Sequence, residues 1–205
     1  GNEVVIKVHS GINGCVTNTG TQHFHEGKMR IYDGSIMEMC SETVGSEVLC
    51  CQYVQNKFYL GKTVAKAGQL PVIDRRKLAT ETVLTVGQGQ TLTIEKICCV
   101  HTSRDQIYEG TDSAKEKVPA DGKHHMEMVT GRGYETLKQE SCAVWEAYWE
   151  KQDIQIDSED VYDQLAVRFA LYHLNIMVKR DDDRVGIGAK ALSGEGYKGH
   201  SFWDT

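Results

Sequence analysis

Thr91-Leu92-Thr93-Ile94-Glu95-Lys96-Ile97-Cys98-Cys99-Val100-His101 sets the architecture of the first half of the chain. Thr91, Thr93 and Glu95 alternate with Leu92, Ile94 and Lys96, giving one polar and one apolar face until Lys96 breaks the pattern. A period of two is the signature of an extended strand with one face buried. Immediately upstream, Gly87-Gln88-Gly89-Gln90 supplies a turn, because glycine tolerates the positive φ that tight hairpins demand. The strand before it, near Lys77–Val86, is therefore expected to pair with Thr91–His101. Further strands are read near Val4–His9, Met29–Thr43 and Glu47–Leu60, where β-branched and aromatic residues cluster between turn signals. Tyr32, Asp33 and Gly34 read as a hairpin turn. Short strands in this number predict a mostly antiparallel sandwich.

Composition bounds what such a chain does. Its 205 residues are 40% hydrophobic and 25% charged, enough apolar mass to bury a sizeable core. The formal net charge of −6 argues against nucleic acid or an anionic membrane as partner, since either requires a basic face. No run approaches the ~18 consecutive apolar residues of a membrane span. The opening GNEVVIKVHS lacks a signal-peptide pattern, which predicts a soluble, cytoplasmic protein. Seven cysteines include the adjacent pairs Cys50-Cys51 and Cys98-Cys99. Neighbours on a strand point to opposite faces, so neither pair reads as a zinc clamp or redox site, and buried free thiols are expected.

Past Asp105 the composition turns to Lys, Glu, Asp, Gly and His, with Pro119 inside, and periodicity fades to about Gly133. This stretch is read as a connection. From Tyr134, Leu137, Ser141, Trp145, Tyr148 and Trp149 recur at helical spacing. The two indoles oblige that helix to press on another element. Asp157-Ser158-Glu159-Asp160 announces a second helix by capping and charge. Val161, Leu165, Phe169, Tyr172 and Ile176 form one stripe; Val167, Leu171, Leu174 and Val178 form another. The helix is expected to stop between Arg180 and Asp181, where acidic charge would oppose its C-terminal dipole.

Several motifs carry little. Gly194-Glu195-Gly196-Tyr197-Lys198-Gly199 and Gly186-Ile187-Gly188-Ala189-Lys190-Ala191 match dinucleotide-binding letters, but no strand precedes either, so neither is read as a nucleotide site. His23-Phe24-His25-Glu26 and His124-His125 with Glu127 lack convergent ligands at a recognisable spacing, and no metal is expected.

The stretch Gly188-Ala189-Lys190-Ala191-Leu192-Ser193-Gly194-Glu195-Gly196-Tyr197-Lys198-Gly199-His200-Ser201-Phe202-Trp203-Asp204-Thr205 strongly resembles the signature loop of glycoside hydrolase family 65, the inverting α-glucoside phosphorylases. Ala191 stands where that family usually has glycine. Thr102-Ser103-Arg104-Asp105, Trp145–Ile156, and Arg168-Phe169 with Leu171 resemble, in order, the end of the family's N-terminal sandwich, its linker and its first barrel helix. The resemblance implies a partial β-rich sandwich over residues 1–105, a connecting region and linker helix over 106–157, and the start of an (α/α)6 catalytic barrel over 158–205.

The resemblance also assigns roles. Trp203 and Asp204 would line the glucose subsite, the indole lying along a pyranose face and the carboxylate accepting hydroxyl hydrogen bonds. His200 and Phe202 would support the loop. The family's general acid and phosphate-binding residues fall beyond Thr205, so no catalytic residue is expected within this chain. Inorganic phosphate is the co-substrate and no other cofactor is implied. The implied partners are a disaccharide, phosphate, the remainder of the same enzyme chain and, because family members are often dimers, a second copy. The apolar sides of Val161–Val178 would then be uncovered, costing several kcal/mol at about 25 cal/mol per Å². Such a chain alone is expected to bind a hydrophobic dye or aggregate. An acid-trehalase-like hydrolase of the same family and a non-catalytic carbohydrate-binding or assembly module are the alternative readings.

Overall fold

The structure is a computed structural model that describes residues 2–180, 182–190 and 196–203. Eight strands precede the helices: β1 (Glu3–Asn13), β2 (Lys28–Tyr32), β3 (Ile36–Glu42), β4 (Leu49–Leu60), β5 (Thr63–Val64), β6 (Leu70–Asp74), β7 (Lys77–Gly87) and β8 (Leu92–Thr102). A long helical run, α1 (Ala114–Gln152), and a shorter helix, α2 (Val161–Ile176), follow. Two compact units result, one of residues 1–17 and 21–137, the other of 18–20 and 138–205.

In the first unit the strands form two antiparallel sheets. One has the order β1-β7-β6; the other has β2-β3-β4-β5 with β8 also paired to β4. The expected sandwich is present, but β7 and β8 do not pair with each other. Gln90 donates its amide to the Gly87 carbonyl at 3.0 Å and Gly89 sits at φ 77, so the predicted turn forms. It carries the chain from one sheet to the other. β7 is matched over its whole length by β1, Lys77 against Asn13 through Gly87 against Glu3, and β8 is matched by β4. β6 takes the other side of β7 over Lys77–Glu81, and the long ladders to β1 and β4 draw β7 and β8 into different sheets. Residues 29–43 are likewise two strands, split at the foreseen turn, where Asp33 (φ 47) and Gly34 (φ 70) take the left-handed conformations of a tight hairpin.

The five-stranded sheet is the middle layer, and its strands bury both faces. Met37 and Met39 of β3 join Ile12, Val54 and Leu78 in a core between the sheets. Ile36 and Cys40, alternating with them, join Cys51, Tyr53, Ile97 and Cys99 against Val118, Met126 and Val129 of α1. Residues 36–40 are therefore buried without alternation. Cys40 and Cys51, opposite each other in the β3–β4 register, are joined by a disulfide. This corrects the expectation of free thiols: Cys51 is bonded, Cys98 is exposed, and Cys50 and Cys99 are free thiols whose pKa values burial pushes up.

Residues 106–133 also differ from the reading as a plain connection. Gln106–Tyr108 is a 3-10 turn, and the chain is helical from Ala114, with Ala114, Val118, Gly122, Met126 and Val129 buried along one face. At Gly133 the run breaks, with φ 76 and ψ 167.

In the second unit Trp145 meets Tyr172 of α2 at 4.9 Å between ring centroids and stacks on Trp149 at 6.0 Å, the packing its indole required. The Asp160 side chain accepts the Tyr162 amide at 2.8 Å, the predicted N-cap. The Arg168 guanidinium holds Asp153, its Nε 2.9 Å from Oδ1, and this hydrogen bond lowers the carboxyl pKa. Helix α2 stops at Ile176, earlier than expected: the Met177 amide makes the final bond, to His173, and Arg180 folds back to Asn175 and over the Tyr148 ring. No residue of α2 is buried, and Val161, Leu165, Phe169 and Leu174 are all more than half exposed. Among the described residues no helix is long and apolar enough to cross a membrane.

Candidate functional site

The loop that follows α2 begins at a charged turn. Asp182 is nearly buried, and its two carboxylate oxygens each accept from Arg184, Nε and Nη2 both at 2.7 Å, with Lys179 Nζ at 3.5 Å. The Arg184 hydrogen bonds hold the Asp182 carboxyl well below the usual carboxylate range. A planar guanidinium matched to a carboxylate in this way fixes the local backbone direction as well as the charge.

Beyond the turn the loop closes on itself. Ser201 Oγ donates to the Ile187 carbonyl at 2.7 Å, and the Ala189 amide reaches the His200 carbonyl at 3.3 Å. The His200 amide in turn bonds the Tyr197 carbonyl at 3.0 Å, ending the 3-10 turn Gly196–Gly199. Tyr197 (φ 63) and Gly199 (φ 75) supply the left-handed positions that bend it. The Phe202 ring stands edge-on to Tyr197 at 4.9 Å, and Lys190 Nζ lies 5.6 Å from the centroid of the Tyr197 ring. Two strands of loop are thus zipped by backbone and aromatic contacts.

Trp203 emerges at the end of this zipped loop and is 95% exposed. Asp204 lies outside the described residues, as do Ala191 to Glu195 of the same motif. The structure therefore brings His200, Phe202 and Trp203 onto one short segment. A separate groove of about 780 Å³ in the same unit is lined by Val144, Trp145, Tyr148, Ile176, Val178 and Val185, among others. Its lining is largely apolar and aromatic, without convergent acid–base pairs.

Polar residues that sequence reading passed over cluster in the first unit. Glu38 is buried, and its Oε2 accepts from Tyr32 at 3.1 Å and Tyr53 at 3.0 Å; the Tyr53 hydroxyl also lies 2.8 Å from the Pro119 carbonyl. Burial first, then the Glu38 charge, pushes the Tyr53 phenol far up. Tyr108 donates to Asp121 at 2.8 Å, and burial with that bond raises it to about 12. His101 Nε2 and His125 Nδ1 are 2.9 Å apart, with Asp105 Oδ2 3.7 Å from His101. Burial, then His125, lowers the His101 pKa. These groups tie β3, β4 and β8 to α1. Among the described residues no group of three or more acidic, histidine or cysteine side chains has the arrangement to hold a metal ion. Glu26, in the motif His23–Glu26, is engaged instead by Arg75 Nε at 2.9 Å.

Comparison with known proteins finds two family domains along the chain. Residues 1–148 match the glycosyl hydrolase family 65 N-terminal domain, and residues 168–205 match the glycosyl hydrolase family 65 central catalytic domain. A kojibiose phosphorylase of Halothermothrix orenii is 34% identical over 200 residues, covering 98% of this chain and 26% of the relative. The kojibiose phosphorylase of Escherichia coli is 29% identical over 204 residues, covering 98% and 25%. A solved structure described as a kojibiose phosphorylase from human microbiome superposes with a TM-score of 0.70 at 18% identity, over 98% of this chain and 25% of that one, a likeness of fold. The chain thus spans about a quarter of the length of the relatives it matches. With nearly three quarters of its residues in one family domain and the signature loop in the next, the chain belongs to glycosyl hydrolase family 65.

Proposed function

We propose that this chain is the N-terminal part of an inverting glycoside phosphorylase that cleaves an α-glucosyl disaccharide with inorganic phosphate, giving β-glucose 1-phosphate and a free sugar. The observation that carries the reading is the collinear match of the chain to proteins named as phosphorylases, from the sandwich through the loop that ends in Trp203. In this reading residues 158–205 open an (α/α)6 barrel whose later helices cover the exposed apolar face of α2.

Trp203 then forms one wall of the glucose subsite: its indole is held out by the zipped loop, where it can lie against the C–H face of the ring. Asp204 accepts from sugar hydroxyls. A carboxylic acid supplied by a later part of the enzyme protonates the glycosidic oxygen while phosphate attacks the anomeric carbon from the opposite face, which inverts the configuration. No residue of this chain is assigned to that proton transfer.

The test uses the complete enzyme with kojibiose, maltose, nigerose and trehalose, with and without phosphate, following anomeric products by NMR. Cleavage of one of them that requires phosphate and yields the β-phosphate is expected. Trp203→Ala or Asp204→Asn should lower kcat/KM by about 100-fold, equivalent to about 2.7 kcal/mol of transition-state binding. Glucose release independent of phosphate would make the enzyme a hydrolase of the family. Absence of both cleavage and sugar binding would leave the carbohydrate-independent assembly role.

A further inference from the structure

Lys57 on β4 and Glu95 on β8 stand directly opposite one another in the sheet, on the face that meets α1. Each reaches a different backbone group. Lys57 Nζ donates to the Thr130 carbonyl at 2.6 Å, and Glu95 Oε2 accepts the Tyr134 amide at 3.0 Å. Between those two groups lies Gly133, at φ 76 and ψ 167, a conformation essentially reserved for glycine.

The polarity of the contacts is selective. A break in a helix strands carbonyls at the end of the first half and amides at the start of the second. The first end carries partial negative charge and the second partial positive charge, so a cation suits the one and an anion the other. Lys57 and Glu95 are placed in that sense. Thr130 adds a third contact, its hydroxyl bonding back to the Met126 and Glu127 carbonyls at 2.9 and 3.1 Å and closing the first half.

We propose that Lys57 and Glu95 act together as a two-point clamp that holds α1 broken at Gly133. Released from the clamp, residues 130–137 move toward an unbroken helix. The break is a joint held by side chains on the sheet, and glycine makes the held state accessible.

The test uses the complete enzyme that carries this chain, with backbone amide exchange read by mass spectrometry on short peptides and the Gly133 carbon shifts read by NMR of glycine-labelled protein. In a Lys57→Met/Glu95→Ala variant, the Gly133 shifts should move to helical values and exchange of the Tyr134 amide should change by at least tenfold, with amide protection along β4 and β8 kept. Glu95→Gln retains an acceptor and should stay near the parent. Because the two contacts act on one joint, each single variant should produce most of the double variant's effect. Gly133 shifts and Tyr134 exchange unchanged in the double variant would overturn the clamp. Should that variant also lose protection in β4 and β8, the single variants Lys57→Met and Glu95→Ala decide: a Gly133 shift toward helical values in one that keeps strand protection supports the clamp, and unchanged Gly133 shifts in both refute it.

Discussion

Gly122 is the position at which the helix–sheet contact of the first unit can be tested most sharply. A Cβ added there would lie 2.5 Å from Cε2, 3.0 Å from Cζ and 3.1 Å from the hydroxyl of Tyr53, whose side chain is fully buried and bonded toward Glu38 and Pro119. Two effects oppose one another. Alanine is favoured over glycine in a helix interior by about 1 kcal/mol. Overpacking a filled core costs about 1–3 kcal/mol, and displacing the phenol forfeits the hydrogen bond of its single hydroxyl proton, worth about 1 kcal/mol. The sum predicts that Gly122→Ala destabilises the first unit by about 1–3 kcal/mol.

Gly131 is the internal control. It is helical, an added Cβ meets nothing within 4 Å, and Gly131→Ala should gain about 0.5–1 kcal/mol. Urea unfolding followed by far-ultraviolet and tyrosine circular dichroism gives both values. Equal stabilisation by the two substitutions would show that the Tyr53 ring does not rest on Gly122, and the proposed seating of α1 on the sheet would fall.

Two further outcomes follow from the polar contacts. Because the His101 pKa is lowered in the fold, the unfolded chain takes up its proton first as pH drops; the stability of the first unit should be intact above the ordinary histidine value of about 6.5 and decline below it. Asp105, Asp121, His125 and Tyr53 surround that ring, and a His101→Gln chain should show a flatter urea midpoint between pH 7.5 and 5.5; an equal decline in both would assign it elsewhere. Asp160→Ala should cost the second unit about 1 kcal/mol by uncapping α2, read by tryptophan fluorescence, since all three tryptophans lie there, while Asp160→Asn should be nearly neutral.

Local chemistry was legible in the sequence, and partner choice was not. The turn at Asp33-Gly34, the cap at Asp160 and the strand positions each depend on a few neighbouring residues. Pairing of β7 and β8 was overridden by distant partners, β1 and β4, that draw them into different sheets, and β6 went unforeseen because its exposed residues give no alternation. In β8 the face with Leu92 and Ile94 suggested burial, yet Glu95, Ile97, Cys99 and His101 turn toward α1, and Ile94 is 45% exposed. The first half of α1 was hidden by Pro119, Gly122, Gly131 and Gly133, all poor helix formers. Its signal was present in Ala114, Val118, Gly122, Met126 and Val129, once glycine is counted as an apolar position shaped for Tyr53. Trp203 is singled out only by the resemblance of its loop, because a lone exposed indole carries no pattern of its own.

The first strand finds its sheet partner late in the sequence. Residues 3–13 pair with 77–87, so every bond of that ladder between its central residues closes a loop of some seventy residues, while β2, β3 and β4 assemble from near neighbours. Loop closure of that length is an entropic toll met before the ladder returns anything, and topologies rich in distant pairings fold slowly. During synthesis β1 must wait as an unpaired ribbon until β7 emerges, and in that interval this part of the chain is most exposed to misassociation.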